Sequence, residues 1–117
     1  MRGINKVIVL GRMGHDPELK KTVAGRSYTD LNIATNRVIP KGDEWVEVVD
    51  WHQIRLWERE AERSIKLLQK GTATAVVGQL RTDTWIGESG EKRSRTYIKG
   101  DHFEFVSHPT MNKALKG

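Results

Sequence analysis

"EWVEVVDWHQIRLW", residues 44–57, carries three of the chain's four tryptophans, at Trp45, Trp51 and Trp57, two gaps of six residues. An even gap keeps side chains on one side of a β-strand, because successive residues alternate faces. In a helix, six residues turn about 600° and scatter them. Val46, Val48, Val49, Ile54 and Leu56 are β-branched or bulky aliphatics, which favours the strand. The face opposite the tryptophans then holds Val46, Val48, Asp50, His52, Ile54 and Leu56, mostly aliphatic and suited to a core. The tryptophan face also holds Glu47, Val49, Gln53 and Arg55, mostly polar. Two arrangements satisfy this spacing: an exposed aromatic platform, or buried tryptophans in a stretch that bends or bulges between them. At ~3.3 Å per residue the strand would run about 40 Å, a length that favours a bend.

Upstream, "INKVIVLGRMG" (residues 4–14) is a compact apolar run with glycines at its end, predicting a first strand with a bend near Gly11 or Gly14. "HDPEL" reads as a turn fixed by Pro17, and "KKTVAGRS" as a polar hairpin loop around Gly25. "SYTDLNIAT" alternates Tyr28, Asp30, Asn32 and Ala34 against Thr29, Leu31, Ile33 and Thr35, predicting a second strand. "NRVIPKGDE" (36–44), with Pro40 and Gly42, reads as a loop. Downstream, "EREAERSIKLLQKG" (58–71) predicts a helix. Ala61, Ile65 and Leu68 form its buried stripe, Lys66 and Lys70 lie in its last turns, and Gly71 is the stop. "TATAVVGQL" predicts a fourth strand with small residues on one face. "TDTWIGESGEKRSRTYIKG" predicts two strand segments joined by a turn, and "HFEFV" ends the sheet with Phe103 and Phe105 on one face. Three strands, one helix and further strands predict an all-β fold, a five-stranded Greek-key barrel of the OB type with its helix between the third and fourth strands. An SH3-like barrel would not need a helix of this length there.

The 117 residues suit one domain, expected over residues 1–106, with a short flexible extension over 107–117. There is no cysteine, hence no disulfide or thiolate metal site. No apolar run approaches the roughly 20 residues that cross a bilayer, and no signal-peptide core opens the chain, so no membrane association and a cytoplasmic location are expected. The net charge of +5 is uneven: residues 1–28 hold six Lys/Arg against two acidic residues, and residues 71–100 hold five against three. Such a pattern suits a polyanion, although it is also common among ordinary soluble proteins.

Catalysis finds little support. His15, His52, His102 and His108 form no metal-ligand spacing, no serine lies in a nucleophile elbow, and no glycine motif cradles phosphate. Glu58, Glu60 and Glu62 fit a solvated helix face. No enzyme, metal or cofactor is expected. Trp85 follows the basic "QLR" and precedes "GESGEKRSR". Arg93 and Arg95 share a face with Tyr97 and Lys99 in a regular strand. Plainer readings are a barrel-closing Trp85 and a charged edge strand. Aromatic and basic residues interleaved on an open sheet suit single-stranded nucleic acid, whose unpaired bases stack and whose phosphates are neutralised.

"RGINKVIVLGRMGHDPE", "DLNIAT", "VDWHQIRLW", "LLQKG" and "VVGQLRTDTW" follow one another as in bacterial single-stranded DNA-binding proteins, which the chain resembles over roughly residues 2–106. The resemblance implies a homotetramer of OB folds, or failing that a dimer, that binds single-stranded DNA in replication, repair or recombination, in the nucleoid. It matches Trp51, Trp57 and Trp85 to base-stacking positions, and Arg2, Lys6, Lys20, Arg59 and Lys70 to phosphate contacts or their neighbours. His52 and Gln79 fall near subunit contacts. Ile39 occupies a position that is often aromatic, and Trp45 is a candidate replacement. Family members usually continue into a linker and an acidic tip. This sequence ends in "SHPTMNKALKG", so partners that grip such a tip are not expected to bind it. Two other readings share the fold: a primosome-type OB accessory protein and an RNA-binding OB module.

Overall fold

Fourteen consecutive pairs join β3 (Ser27–Lys41) to β4 (Glu44–Trp57), from Tyr28 opposite Trp57 to Lys41 opposite Glu44, without a slip in register. No bulge interrupts the pairing, and the expected loop over residues 36–44 is absent. Both strands run on to a two-residue turn, with Gly42 in the left-handed region at φ +64. Pro40 is tolerated because the β1 pairs of β3 stop at Ala34, leaving no ladder on that edge further out. Alternation therefore holds along β4: Ile54 and Leu56 are buried, while Trp45 and Trp51 are 72% and 59% exposed. The platform arrangement is the one found.

This computed structural model describes residues 1–109. The expected extension lies outside the described residues from 110 onward. Besides the long hairpin, the chain forms β1 (Val7–Met13), β2 (Lys20–Lys21), α1 (Glu58–Leu67), β5 (Ala73–Ile86) and β6 (Lys92–Ser107). The order across the sheet is β1-β5-β6-β4-β3-β2, and β1 also pairs with β3 at Arg12 and Met13, which closes the barrel. Setting aside the two-residue β2, this is the five-stranded OB barrel with its helix between the third and fourth long strands. "TDTWI" proves to be the continuation of β5, and "KRSRTYIKG" and "HFEFV" are one strand, β6, bulged opposite Val77/Gly78 and Ala73/Thr74. Glycine is required near the first bulge, where Gly78 lies against the Lys99–Gly100 backbone too closely for a Cβ.

The core gathers Val9, Met13, Leu31, Ile33, Ile54, Leu56, Ala61, Leu68, Val76 and Phe103. Helix α1 covers the barrel end. It buries Ala61 and Ser64 rather than the expected Ile65, which is 37% exposed. Ser64 can be buried because its hydroxyl donates to the Ala61 carbonyl at 2.7 Å. The helix stops at Leu67, with Leu68 as its cap, so Lys70 lies beyond it. Gly71, at φ +87, serves the turn into β5 rather than the helix stop. The Glu60 carboxylate fastens α1 to β6, accepting from the Phe103 amide at 3.1 Å and from Arg63 at 2.8 and 3.0 Å.

Candidate nucleic-acid interface

β4 and β6 pair in parallel at only two positions, Ile54–Ile98 and Arg55–Lys99. Beyond them the two strands part, and the β3–β4 and β5–β6 hairpins project as separate two-stranded arms in the same direction. One row of side chains spans the junction: Asp30, Arg55, Lys99 and Gln79, on β3, β4, β6 and β5. Because directly opposed residues share a face, this row defines one outward surface. Below it lies a second row, Lys20, Tyr28 and Trp57. Up one arm the same surface carries Trp51 and then Trp45. Up the other it carries Tyr97 opposite Arg81, Arg95 opposite Asp83, and Arg93 opposite Trp85.

The base of this V-shaped surface is the densest part. The Tyr28 and Trp57 rings lie 5.4 Å apart, and the Arg26 guanidinium carbon is 4.2 Å from the Trp57 ring centre. Arg26 also pairs with Glu58 at 3.2 Å, and Glu58 follows Trp57 directly in a left-handed conformation, φ +50. That strained geometry at the strand-to-helix junction turns the chain from Trp57 into α1. Arg55 donates to both carboxylate oxygens of Asp30, at 2.7 and 3.0 Å, and lies 4.3 Å from the Tyr28 ring centre. The hydrogen bond to Asp30 raises the Arg55 pKa further above its ordinary value, against the opposing effect of desolvation. On the reverse face of the first arm, Arg37 and Asp50 pair at 2.7 Å, and the Arg37 pKa is likewise raised by that hydrogen bond.

The sequence-predicted residues fall as follows. Trp51, Trp57, Trp85, Lys20, Arg93 and Arg95 share the outward surface. Trp85 is 46% exposed, so it does not close the barrel. Trp45 is on that surface too, at the arm tip beyond Glu47 on the same face, with Glu44 opposite Lys41 on the reverse face. Arg59 lies in the first turn of α1, near Trp57 in sequence. Lys70 lies after the helix, its amide donating to Asp16 at 2.7 Å, off the sheet surface. Arg2 and Lys6 are exposed on the N-terminal segment, which Asn5 ties to the Leu80 backbone by two 2.9 Å hydrogen bonds. His52 and Gln79 point to opposite faces: His52 shares a 2.8 Å hydrogen bond with Thr35 on the reverse side, whereas Gln79 belongs to the Asp30–Arg55–Lys99 row. Sequence reasoning set Arg55 on the tryptophan face without giving it a role, and missed Tyr28 and Arg26 as members of the surface. Reading Gly42-Asp43 as a two-residue turn would have set Tyr28 opposite Trp57.

Trp51 owes its position to Gly14. A Cβ on Gly14 would stand 2.5 and 2.9 Å from two ring carbons of Trp51. Gly14→Val is therefore expected to push the indole off its seat and weaken nucleic-acid binding about as much as losing one stack, ~1–3 kcal/mol. Fluorescence titration of the folded variant checks this, and unchanged affinity would show that the seat does not matter.

Among the described residues no group of three His, Cys, Asp or Glu is placed to hold a metal, and no helix is long and apolar enough to cross a membrane. The OB barrel with an aromatic and basic open face defines an oligomer-binding module of nucleic-acid type. Residues 4–106 match the single-strand binding protein family, and the chain belongs to that family. It is 38% identical over 106 residues to the single-stranded DNA-binding protein of Treponema pallidum, covering 91% of this chain and 60% of that protein. It is 33% identical over 106 residues to the protein of the same name from Xylella fastidiosa, covering 90% and 65%. The chain thus spans about three fifths of the length of these relatives. Among solved structures, a deletion mutant of the single-stranded DNA binding protein from Thermus aquaticus superposes with a TM-score of 0.76 at 30% identity, covering 91% of this chain and 52% of that one.

Proposed function

We propose that this protein binds and protects single-stranded DNA, without catalysis and largely without regard to sequence, during replication, repair or recombination in the nucleoid. The observation that carries this reading is the single surface on which Trp51, Trp57, Trp85, Tyr28 and Tyr97 alternate with Lys20, Arg81, Arg93, Arg95 and Lys99. Aromatic faces stack on any unpaired base, and cations neutralise any phosphate. Among the described residues no helix is free to enter a duplex groove, since α1 is packed on the barrel end.

Self-association belongs to the same proposal, as a homotetramer or, failing that, a dimer. On β1, Ile8 and Leu10 are 70% and 59% exposed beside Ala75 and Val77 of β5. Among the described residues the far edge of β1 has no partner until Arg12 meets Ala34. An apolar strand with a free edge is a surface for a second copy.

One experiment tests both parts: titration with oligo(dT), oligo(rU) and duplex DNA at two salt concentrations, with solution mass measured alongside. Oligo(dT) should quench tryptophan fluorescence and bind far more tightly than duplex. Affinity should fall steeply with salt, the logarithmic slope approaching −0.7 for each phosphate neutralised. The mass should be a multiple of the 13.4 kDa chain. A preference for oligo(rU) would favour the RNA-binding module, and a monomer at micromolar concentration would remove the self-association.

A further inference from the structure

Arg55 differs from the other cations of the surface. Its side chain is 23% exposed, and its guanidinium is gripped edge-on by Asp30 through Nε and Nη2. Three aromatic rings surround it, with centres 4.3 Å (Tyr28), 5.7 Å (Trp57) and 6.0 Å (Tyr97) from its central carbon. The adjacent carboxylate cancels its charge, so a phosphate gains little there compared with Arg95, which makes no ion pair among the described residues. What Arg55 retains is geometry. A guanidinium carries five N–H groups, and two are spent on Asp30. The other three donate to no group among the described residues, and the side chain is held rigid before any ligand arrives, so little freedom is lost on binding.

We infer that Arg55 reads the edge of one base, and that the base it favours is guanine. The inference rests on the single-stranded DNA-binding reading and adds a preference to it. A base stacked on Tyr97, or laid beside Arg55 and Arg26 where they already cover the Tyr28 and Trp57 rings, turns its edge toward fixed donors. Guanine presents two neighbouring acceptors, O6 and N7, which match a guanidinium fork. Adenine sets its N6 amino donor beside N7, bringing donor against donor, and thymine offers only O4 on the corresponding edge. Tryptophan stacking and phosphate contacts would supply affinity for any strand, and Arg55 would bias which base occupies this one place.

The test is a fluorescence titration of the intact protein with (dT)12, a length within the span of one OB fold, and with the same strand carrying one central dG, dA or 7-deaza-dG. The dG strand should bind about fivefold more tightly than the dA strand. Replacing N7 by carbon should return the 7-deaza strand to the dA level. In the paired variant Asp30→Asn/Arg55→Gln, which removes both charges together, the dG-to-dA ratio should fall to about one whatever happens to overall affinity. The 7-deaza comparison uses the unaltered protein, so the test stands even if the variant fails to fold. Equal binding of dG and dA strands, or of dG and 7-deaza-dG strands, would overturn the inference and leave single-strand binding intact. Failure of every strand to bind would overturn the underlying reading, and this inference with it.

Discussion

Replacing Trp51, Trp57 and Trp85 together by alanine is expected to weaken binding to oligo(dT) by at least about 100-fold. Each base–aromatic stack contributes ~1–3 kcal/mol, and three at the low end already total about 3 kcal/mol, at roughly 1.4 kcal/mol per tenfold. The three sites should not contribute equally. Trp51 and Trp85 stand on separate arms, so their effects should add. Trp57 lies under Arg26 and against Tyr28, so its removal also loosens two neighbours and should cost most of the three. Trp51 and Trp85 are about half exposed, so the fold should tolerate their loss, and circular dichroism checks that it does. A folded triple variant that still binds within a few-fold of the parent would eliminate the aromatic platform as the source of affinity.

The largest effect on stability is expected at Phe103. Its ring is fully buried in the core, the Arg63 guanidinium carbon lies 4.4 Å from the ring centre, and its amide is held by Glu60. Phe103→Ala should cost about 3–5 kcal/mol, from lost transfer free energy and from the cavity left under α1. Most domains of this size hold only 5–15 kcal/mol in reserve, so the variant should melt at least about 10 °C lower. Urea denaturation should show a lower midpoint with an unchanged slope. A shift of only a degree or two would mean that Arg63 and the helix close over the gap.

The alternation of β4 was legible because the period of two is written in the residues themselves: Ile54 and Leu56 inward, Trp51 and Trp57 outward. The loop expected over residues 36–44 failed because Pro40 and Gly42 punctuate most chains. Here Pro40 sits where β3 has no neighbour on its far side among the described residues. Ile65 was expected inside on periodicity alone, yet the small Ser64 fits closer to the barrel and satisfies its own hydroxyl. Arg55 was legible on the tryptophan face, but its partners Tyr28 and Asp30 were harder to see, since they depend on which residue of β3 meets which of β4. Fourteen pairs of that register follow from one two-residue turn, which local preferences read only as a loop.

That unbroken ladder also constrains how the sequence could drift. Side chains alternate strictly, so inserting or deleting one residue within either strand would turn everything beyond the lesion to the opposite side unless a bulge absorbed it. A single residue lost between Trp51 and Trp57 would send Trp51 toward the reverse side and bring His52 to the front. A two-residue change would keep every side chain on its proper side and merely lengthen or shorten the arm. Changes of any size at Gly42-Asp43 would leave the registered part untouched. Length variation in this hairpin should therefore be odd or even at its tip but even within its rails, a parity rule imposed by geometry rather than by the ligand.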